Sequence, residues 1–219
     1  MLKIKPSLGQ PIIKYSIDAA FGSDLFDEIM VSTDDEEIAF LAEKYGAKVP
    51  FMRSKEASDD YATTADVIEE VLNEYIKRGY RFKYACCIYP TAPFVTAEKL
   101  IRSFQDLKES DADAVTPVAK FSYPIQRAFK VENGELVRMW PEYEKARSQD
   151  LTPAYHDVGQ FYWHKVESFM RREVKDDYKI IPFMIPEMEM QDMDTEDDWK
   201  VAEFKYRYLQ GYELKQDKV

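Results

Sequence analysis

The chain has 219 residues, 45% of them hydrophobic, enough to bury one substantial core without calling for two independent domains. Its 30 basic and 41 acidic side chains give a net charge of −11, which repels nucleic acid and anionic membrane from the surface as a whole and leaves room only for a local basic pocket. The N-terminal residues carry no signal-peptide pattern, no segment is long and apolar enough to cross a bilayer, and Cys86 and Cys87 are adjacent rather than framework-spaced, so a soluble protein of a reducing cytoplasm is expected.

Phe26 to Thr33 contains the apolar run Ile29-Met30-Val31 and leads into Ser32-Thr33-Asp34-Asp35-Glu36-Glu37, after which Ile38, Leu41, Ala42 and Tyr45 recur at helical spacing. This predicts a strand, a capped turn and a helix that Gly46 closes. Val49 to Met52 reads as a short second strand, and Thr64 to Arg78 as a helix with Val67, Ile68, Val71, Leu72 and Tyr75 on one face. Tyr84 to Tyr89 is apolar on both faces, as a central parallel strand is, and places Cys86 and Cys87 as buried thiols on opposite sides of it. The stiff turn Pro90-Thr91-Ala92-Pro93 feeds a helix from about Ala97 to Leu107, and Ala114 to Val118 is a further strand.

From Lys120 to Lys165 the rhythm changes to aromatics and prolines, with a hairpin centred on Asn133-Gly134 and a strand from Gln160 to His164. This segment reads as a β-rich insertion on the sheet. Ile180 to Ile185 is another apolar run, Thr195 to Leu209 a closing helix that offers Trp199, Ala202, Phe204 and Tyr206 for packing, and Glu213 to Val219 a frayed end. The alternation predicts an α/β fold: one domain over 1–219, a Rossmann-like open, mostly parallel sheet with helices on both faces, and a ligand crevice at the carboxyl ends of the strands.

Four segments carry chemistry. Arg53 stands at a strand end before a polar loop and the helix start at Thr64, where guanidinium and orphan N–H groups favour an anion, although a solvated loop capped by Asp59 or Asp60 explains the same residues. Tyr89-Pro90-Thr91 ends the most buried strand and offers a hydroxyl, or is plain strand punctuation. Arg147-Ser148-Gln149-Asp150 and Tyr155-His156-Asp157-Val158-Gly159-Gln160 combine planar hydrogen-bonding groups with aromatic walls, a composition suited to a sugar acid whose carboxylate prefers a bidentate arginine. His156 alone is more simply structural. Finally, Asp192 and Asp194 lie on one side of an extended segment, a spacing suited to Mg²⁺. On spacing alone the plainer reading is that one of them, with Thr195, caps the following helix.

Together these segments resemble the cytidylyltransferases that activate nonulosonic, sialic-acid-type sugars, and most closely the pseudaminic acid cytidylyltransferases. The resemblance covers nearly the whole chain. It is carried by Val31-Ser32-Thr33-Asp34-Asp35-Glu36-Glu37-Ile38, Arg53-Ser54, Ala62-Thr63-Thr64-Ala65-Asp66-Val67, Cys87-Ile88-Tyr89-Pro90-Thr91-Ala92-Pro93, Phe121-Ser122-Tyr123-Pro124-Ile125-Gln126-Arg127, Arg147-Ser148-Gln149-Asp150-Leu151 and Gln191-Asp192-Met193-Asp194-Thr195-Glu196-Asp197-Asp198-Trp199. It implies a nucleotide-diphospho-sugar transferase type of sheet and a homodimer joined through the 120–165 insertion, which also serves sugar recognition. The implied enzyme is assisted by Mg²⁺ and takes CTP and a nine-carbon sugar acid to a CMP-sugar and pyrophosphate. By the same resemblance Arg53, Ala62 and Thr64 line the nucleotide pocket beside Tyr89, Pro90 and Thr91. Arg127, Arg147, Gln149, Asp157 and Gln160 contact the sugar, and Asp192 and Asp194 hold the metal.

The family pattern begins with an apolar strand and a basic Gly/Ser loop that wraps the triphosphate, whereas this chain starts inside the piece that follows, with Leu2 where the pattern has a lysine and with Lys3 and Lys5 as poor substitutes. Loss of a central strand leaves several backbone groups unpaired, each costing on the order of 1–3 kcal/mol against a total stability of roughly 5–15 kcal/mol. The chain as written is therefore expected to be poorly stable and a weak catalyst, unless Met1 to Lys5 or another protomer fills part of the gap. Two rival readings remain at this level: a non-catalytic nucleotide-binding remnant, and a metal-dependent glycosyltransferase that consumes a nucleotide sugar.

Overall fold

The computed structural model describes residues 6–7, 9–174 and 177–211. The expectations placed on Met1 to Lys5 and on Glu213 to Val219 lie outside the described residues. Two short strands, β1 (Pro6–Ser7) and β2 (Gln10–Pro11), form a small hairpin before α1 (Ile13–Ser23). That helix has Ile13, Ile17 and Ala20 buried at helical spacing, a pattern the reading in chain order passed over.

The expected strand at Phe26 to Thr33 contracts to a single parallel bridge, Met30 to Lys48, with Val31 N and Lys48 N each donating at 2.9 Å. Val49 to Met52 is not a strand. A ladder this short has no further neighbour among the described residues to extend it, and propensity alone does not hold an extended segment in register. The helix that follows, α2 (Glu36–Lys44), starts as expected: Asp35 caps it by accepting from Glu37 N at 2.8 Å and Ile38 N at 3.1 Å. At its other end Gly46 has φ +92°, a conformation that favours glycine.

The central sheet has five strands: β3 (Tyr84–Ile88), β4 (Ala114–Lys120), β7 (Tyr155–Asp157), β8 (Phe161–Lys165) and β9 (Ile180–Met184). β3, β4 and β9 point the same way, whereas β7 and β8 run against them. β8 lies between β3 and β4, so the carboxyl part of the 120–165 segment is built into the sheet rather than laid on it. What stands off the sheet is the hairpin of β5 (Phe129–Glu132) and β6 (Glu135–Arg138), turned by Asn133 at φ 52° and Gly134 at φ 84° as the Asn-Gly signal predicted. Among the described residues β3 is paired along one edge only, by β8.

Helices cover both faces. α4 (Ala97–Glu109) and α1 enclose the largest apolar cluster with Leu100, Leu107, Val115, Phe161 and Trp163. Trp163 stacks on Phe26 and Phe104, with ring centroids 5.3 and 4.6 Å away, and its indole N–H donates to Ser103 Oγ at 3.1 Å, so the one polar atom of a fully buried ring is satisfied. α3 (Thr64–Lys77) and α5 (Val166–Phe169) pack through Leu72, Val166 and Phe169 with Ala85 of β3. The closing helix α6 (Glu196–Leu209) buries Trp199 and Ala202 against Ile12, Tyr15 and Phe94.

Candidate active site

The successive strands β7 and β8, both antiparallel to β4, create the site. Both lie on the edge of β4 opposite β9, but only β8 also pairs with β3, through Ile88 and Phe161 at its start. Beyond that point Tyr89 N still donates to Gln160 O at 2.8 Å, and then Gly159, at φ +60°, turns the chain away into β7. The divergence opens a cleft of about 430 Å³ at the carboxyl end of β3, lined by Tyr89, Thr91, His156, Asp157, Val158, Gly159, Met190, Gln191, Asp192 and Met193. The φ at position 159 favours glycine, while a Cβ there would make only an ordinary contact of 3.8 Å with the Tyr89 ring. The crevice lies where an open α/β sheet is expected to bind its ligand.

One wall is an aromatic and carboxylate network. Asp157 Oδ1 accepts from Tyr162 Oη and from Gly159 N, both at 2.7 Å. Burial and the neighbouring Asp157 carboxylate raise the Tyr162 phenol well above its ordinary range, so it stays protonated and donates to Asp157. Tyr162 packs against Tyr89 at 5.3 Å, and Tyr89 Oη lies 2.7 Å from Thr64 Oγ1 at the start of α3. Ser16 Oγ of α1 donates to Tyr89 O at 2.7 Å, so this residue is fixed from both sides of the sheet.

The opposite wall is the acidic arm. Thr195, not Asp192 or Asp194, caps α6: its hydroxyl accepts from Asp198 N at 3.2 Å while Asp198 Oδ2 accepts from Thr195 N at 2.8 Å. The two aspartates are therefore free of the capping role that spacing alone favoured. Asp192 borders the cleft, Asp194 is exposed, and Met193 between them is buried with Ile12, Phe94 and Trp199. That alternation sends both acids to the side away from the core.

Residues 3–191 match the family model for cytidylyltransferases. The chain belongs to the cytidylyltransferase family. It is 37% identical over 201 residues to the pseudaminic acid cytidylyltransferase of Campylobacter jejuni serotype O:2, covering 91% of this chain and 87% of that one. It is 28% identical to the CMP-N,N'-diacetyllegionaminic acid synthase of Legionella pneumophila, with 89% of this chain and 84% of that one covered. Among solved structures it resembles CMP:2-keto-3-deoxy-manno-octonic acid synthetase complexed with CTP, at a TM-score of 0.66 and 14% identity over 97% of this chain and 92% of that one. That likeness shows the expected α/β fold, and the family match decides against the glycosyltransferase reading.

Of the residues expected to line a nucleotide pocket, Arg53 Nε donates to Ser32 Oγ at 3.0 Å and its terminal nitrogen to Ser32 O. The guanidinium is thus anchored at the end of the Ile29 to Thr33 segment. Ala62 N is held by Asp59 Oδ1 at 2.7 Å. Asp59 organises that loop and does not cap α3; the cap is Thr63, in a reciprocal box with Asp66. Glu70, which the sequence did not single out, locks loop to helix through Ser54, whose N donates to Glu70 Oε1 at 3.0 Å and whose hydroxyl donates to Oε2.

The residues expected to contact a sugar are less gathered. Arg127 donates to Ser148 Oγ at 2.9 Å, and Arg147 makes a bidentate pair with Asp150 at 2.7 and 3.1 Å on the turn that also carries exposed Gln149. These side chains do not line the cleft described above. Gln160 is buried, its amide donating to Glu189 O at 2.7 Å. Val158, Gly159, Met190 and Met193 line the cleft although none was singled out as a site residue; the turn glycine after Asp157 was the available signal.

Proposed function

We propose that the chain transfers CMP from CTP to the anomeric hydroxyl of a nonulosonic acid, pseudaminic acid or a close relative, releasing pyrophosphate. The observation that carries this reading is the convergence of Tyr89, Thr91, Asp157 and Asp192 on one cleft at the carboxyl end of β3, in a chain 37% identical to a pseudaminic acid cytidylyltransferase.

No group of three or more metal-ligating side chains occurs among the described residues. Two adjacent outward carboxylates fit an ion that takes only one or two protein ligands and completes its shell with water and substrate phosphates, which is the habit of Mg²⁺. Asp192 and Asp194 would hold it. When bound, Mg²⁺ supplies Lewis-acid neutralisation of the charge that builds on the phosphates. The chain's own part is positioning. Thr64, Tyr89 and Arg53 orient the nucleoside end, and Asp157, oriented by Tyr162 and Gly159 N, accepts from sugar hydroxyls. The anomeric oxygen then forms its bond to the α-phosphorus as the bond to the β-phosphate oxygen breaks, the hydroxyl proton passing to solvent.

Arg127, Arg147, Gln149 and Gln160 are proposed as sugar-side residues. The hairpin that stands off the sheet is proposed as the homodimer contact: Phe129 and Val131 share one face, Leu136 is paired across from Val131, and all three are exposed. CTP as substrate and two unpaired thiols favour a reducing cytoplasm.

The test is pyrophosphate release from CTP with pseudaminic acid and Mg²⁺. Release that requires the sugar acid supports the reading. Thermal stabilisation by CTP or CMP with no release under any sugar acid replaces it with the nucleotide-binding remnant.

A further inference from the structure

We propose that Lys205 of α6 is a positioning residue for the Asp192–Asp194 arm, holding the arm in place before any metal or nucleotide arrives. The inference rests on the reading of those two aspartates given above. Lys205 Nζ donates to Met190 O at 2.8 Å, Gln191 Oε1 at 3.1 Å and Glu187 O at 3.3 Å. An ammonium has three protons, and three acceptors meet them, so the group is fully used within the protein and keeps none for a ligand. Its nearest partners are neutral carbonyls rather than carboxylates, which makes its task one of conformation rather than charge pairing. Burial lowers its pKa, an opposing contribution coming from the nearby Glu187 carboxylate.

The contact is passed on. Gln191, fixed at its oxygen by Lys205, donates from its nitrogen to Asp192 O at 3.1 Å and to Asp198 Oδ1 at 3.2 Å. Asp198 Oδ2 in turn accepts from the amide and hydroxyl of Thr195. Asp198 and Lys205 are seven residues apart, two helical turns, and so occupy the same face of α6. The residues on either side of Asp192-Met193-Asp194 are thus both bonded to one helix face, and Met193 is packed between them. The arm has no regular secondary structure of its own; within it Asp192 Oδ1 accepts from Met193 N at 3.0 Å, and the bonds from α6 fix the segment as a whole to the fold.

The test compares Lys205→Met, which keeps the apolar stem and removes the donors, with Lys205→Arg, which restores donors in a different shape. In metal-free protein, amide hydrogen exchange at 190–195 should rise about tenfold in Lys205→Met and less in Lys205→Arg, while exchange in β4 and β8 stays at the wild-type rate. The Mg²⁺ concentration for half-maximal cytidylyl transfer should rise about 10–100-fold, the range seen when outer-shell partners of metal ligands are removed, with the sugar-acid KM at saturating Mg²⁺ unchanged. Unchanged exchange in the arm overturns the proposal, and so does a loosened arm with an unaltered Mg²⁺ response. Asp192→Asn in the wild-type background separates the two levels. If that variant leaves the Mg²⁺ response intact, the assignment of the aspartates is at fault, and the exchange experiment still decides the part played by Lys205.

Discussion

The side-chain amide of Gln160 donates to the main-chain carbonyl of Glu189 at 2.7 Å, tying the residue before β8 to the loop that leads into Asp192. The main-chain oxygen of Gln160 accepts from Tyr89 N at 2.8 Å, so one residue that is 3% exposed joins both walls of the cleft. Gln160→Ala leaves a buried carbonyl unpaired and opens a void. We expect a stability loss of about 1–3 kcal/mol, read as a fall of several degrees in Tm. An unchanged Tm with a raised sugar-acid KM would make Gln160 a direct sugar contact instead of a brace.

Asp192→Asn and Asp194→Asn keep side-chain volume and remove the charge. Neither aspartate caps α6, so both variants should unfold at the wild-type temperature. A loss of transition-state stabilisation of about 3 kcal/mol corresponds to about 10²-fold in rate. Turnover at saturating substrates should fall by at least that factor in each variant, measured as pyrophosphate release.

Tyr162→Phe removes the hydroxyl that donates to Asp157 and keeps the ring against Tyr89. A hydrogen bond to a charged group contributes about 1.5–3 kcal/mol, part of which Gly159 N and water retain in the variant. Steady-state kinetics should show a sugar-acid KM raised about 3–10-fold, with the CTP KM near wild type. An equal rise in both would place Tyr162 in general scaffolding.

His164 is pushed down to about 4, chiefly by burial and secondarily by Arg172, and its Nδ1 lies 3.0 Å from Tyr178 Oη. The unfolded imidazole titrates near 6.5, so between about pH 4 and 6.5 the unfolded chain binds the additional proton. Stability therefore rises with pH through that window, is fully present above it and is lost as pH falls towards 4, by up to about 3 kcal/mol. Denaturant unfolding at pH 5 and pH 7.5 should show this slope, and His164→Gln should flatten it.

Cys86 and Cys87 are free thiols on opposite faces of β3, and burial pushes Cys86 well above the usual thiol range and Cys87 up to about 11. Few thiolates then exist at pH 8. A thiol reagent should modify the native protein slowly and titrate both cysteines per chain once denaturant is added. Rapid modification of the native state would mean that the β3 region opens readily.

Much of the fold was legible because it is written in short-range pattern. The caps at Asp35 and Thr195, the Asn133-Gly134 turn and the apolar β3 all depend on neighbours a few residues away. The aspartate pair was legible as a type of chemistry, though spacing alone pointed to a helix cap until the Thr195–Asp198 box took that role. The Arg127 and Arg147 segments were legible as sugar-binding composition, whereas in space their donors meet Ser148 and Asp150. Val49 to Met52 read as a strand because its residues favour one, yet a strand also needs a partner in register.

By itself, then, the sequence determined the α/β class, the long helices from α2 onward, the Asn133-Gly134 turn and the cytidylyltransferase motifs, because each is encoded in residues adjacent along the chain. Tertiary structure decided that β8 runs antiparallel between β3 and β4, and that Gly159 opens the cleft. It also decided that Thr64 meets Tyr89, Gln160 meets Glu189 and Lys205 meets the carbonyls before Asp192. Those contacts depend on how packed layers and bent strands superpose distant segments, and a hydrogen bond across the fold leaves no periodicity in either of the segments it joins.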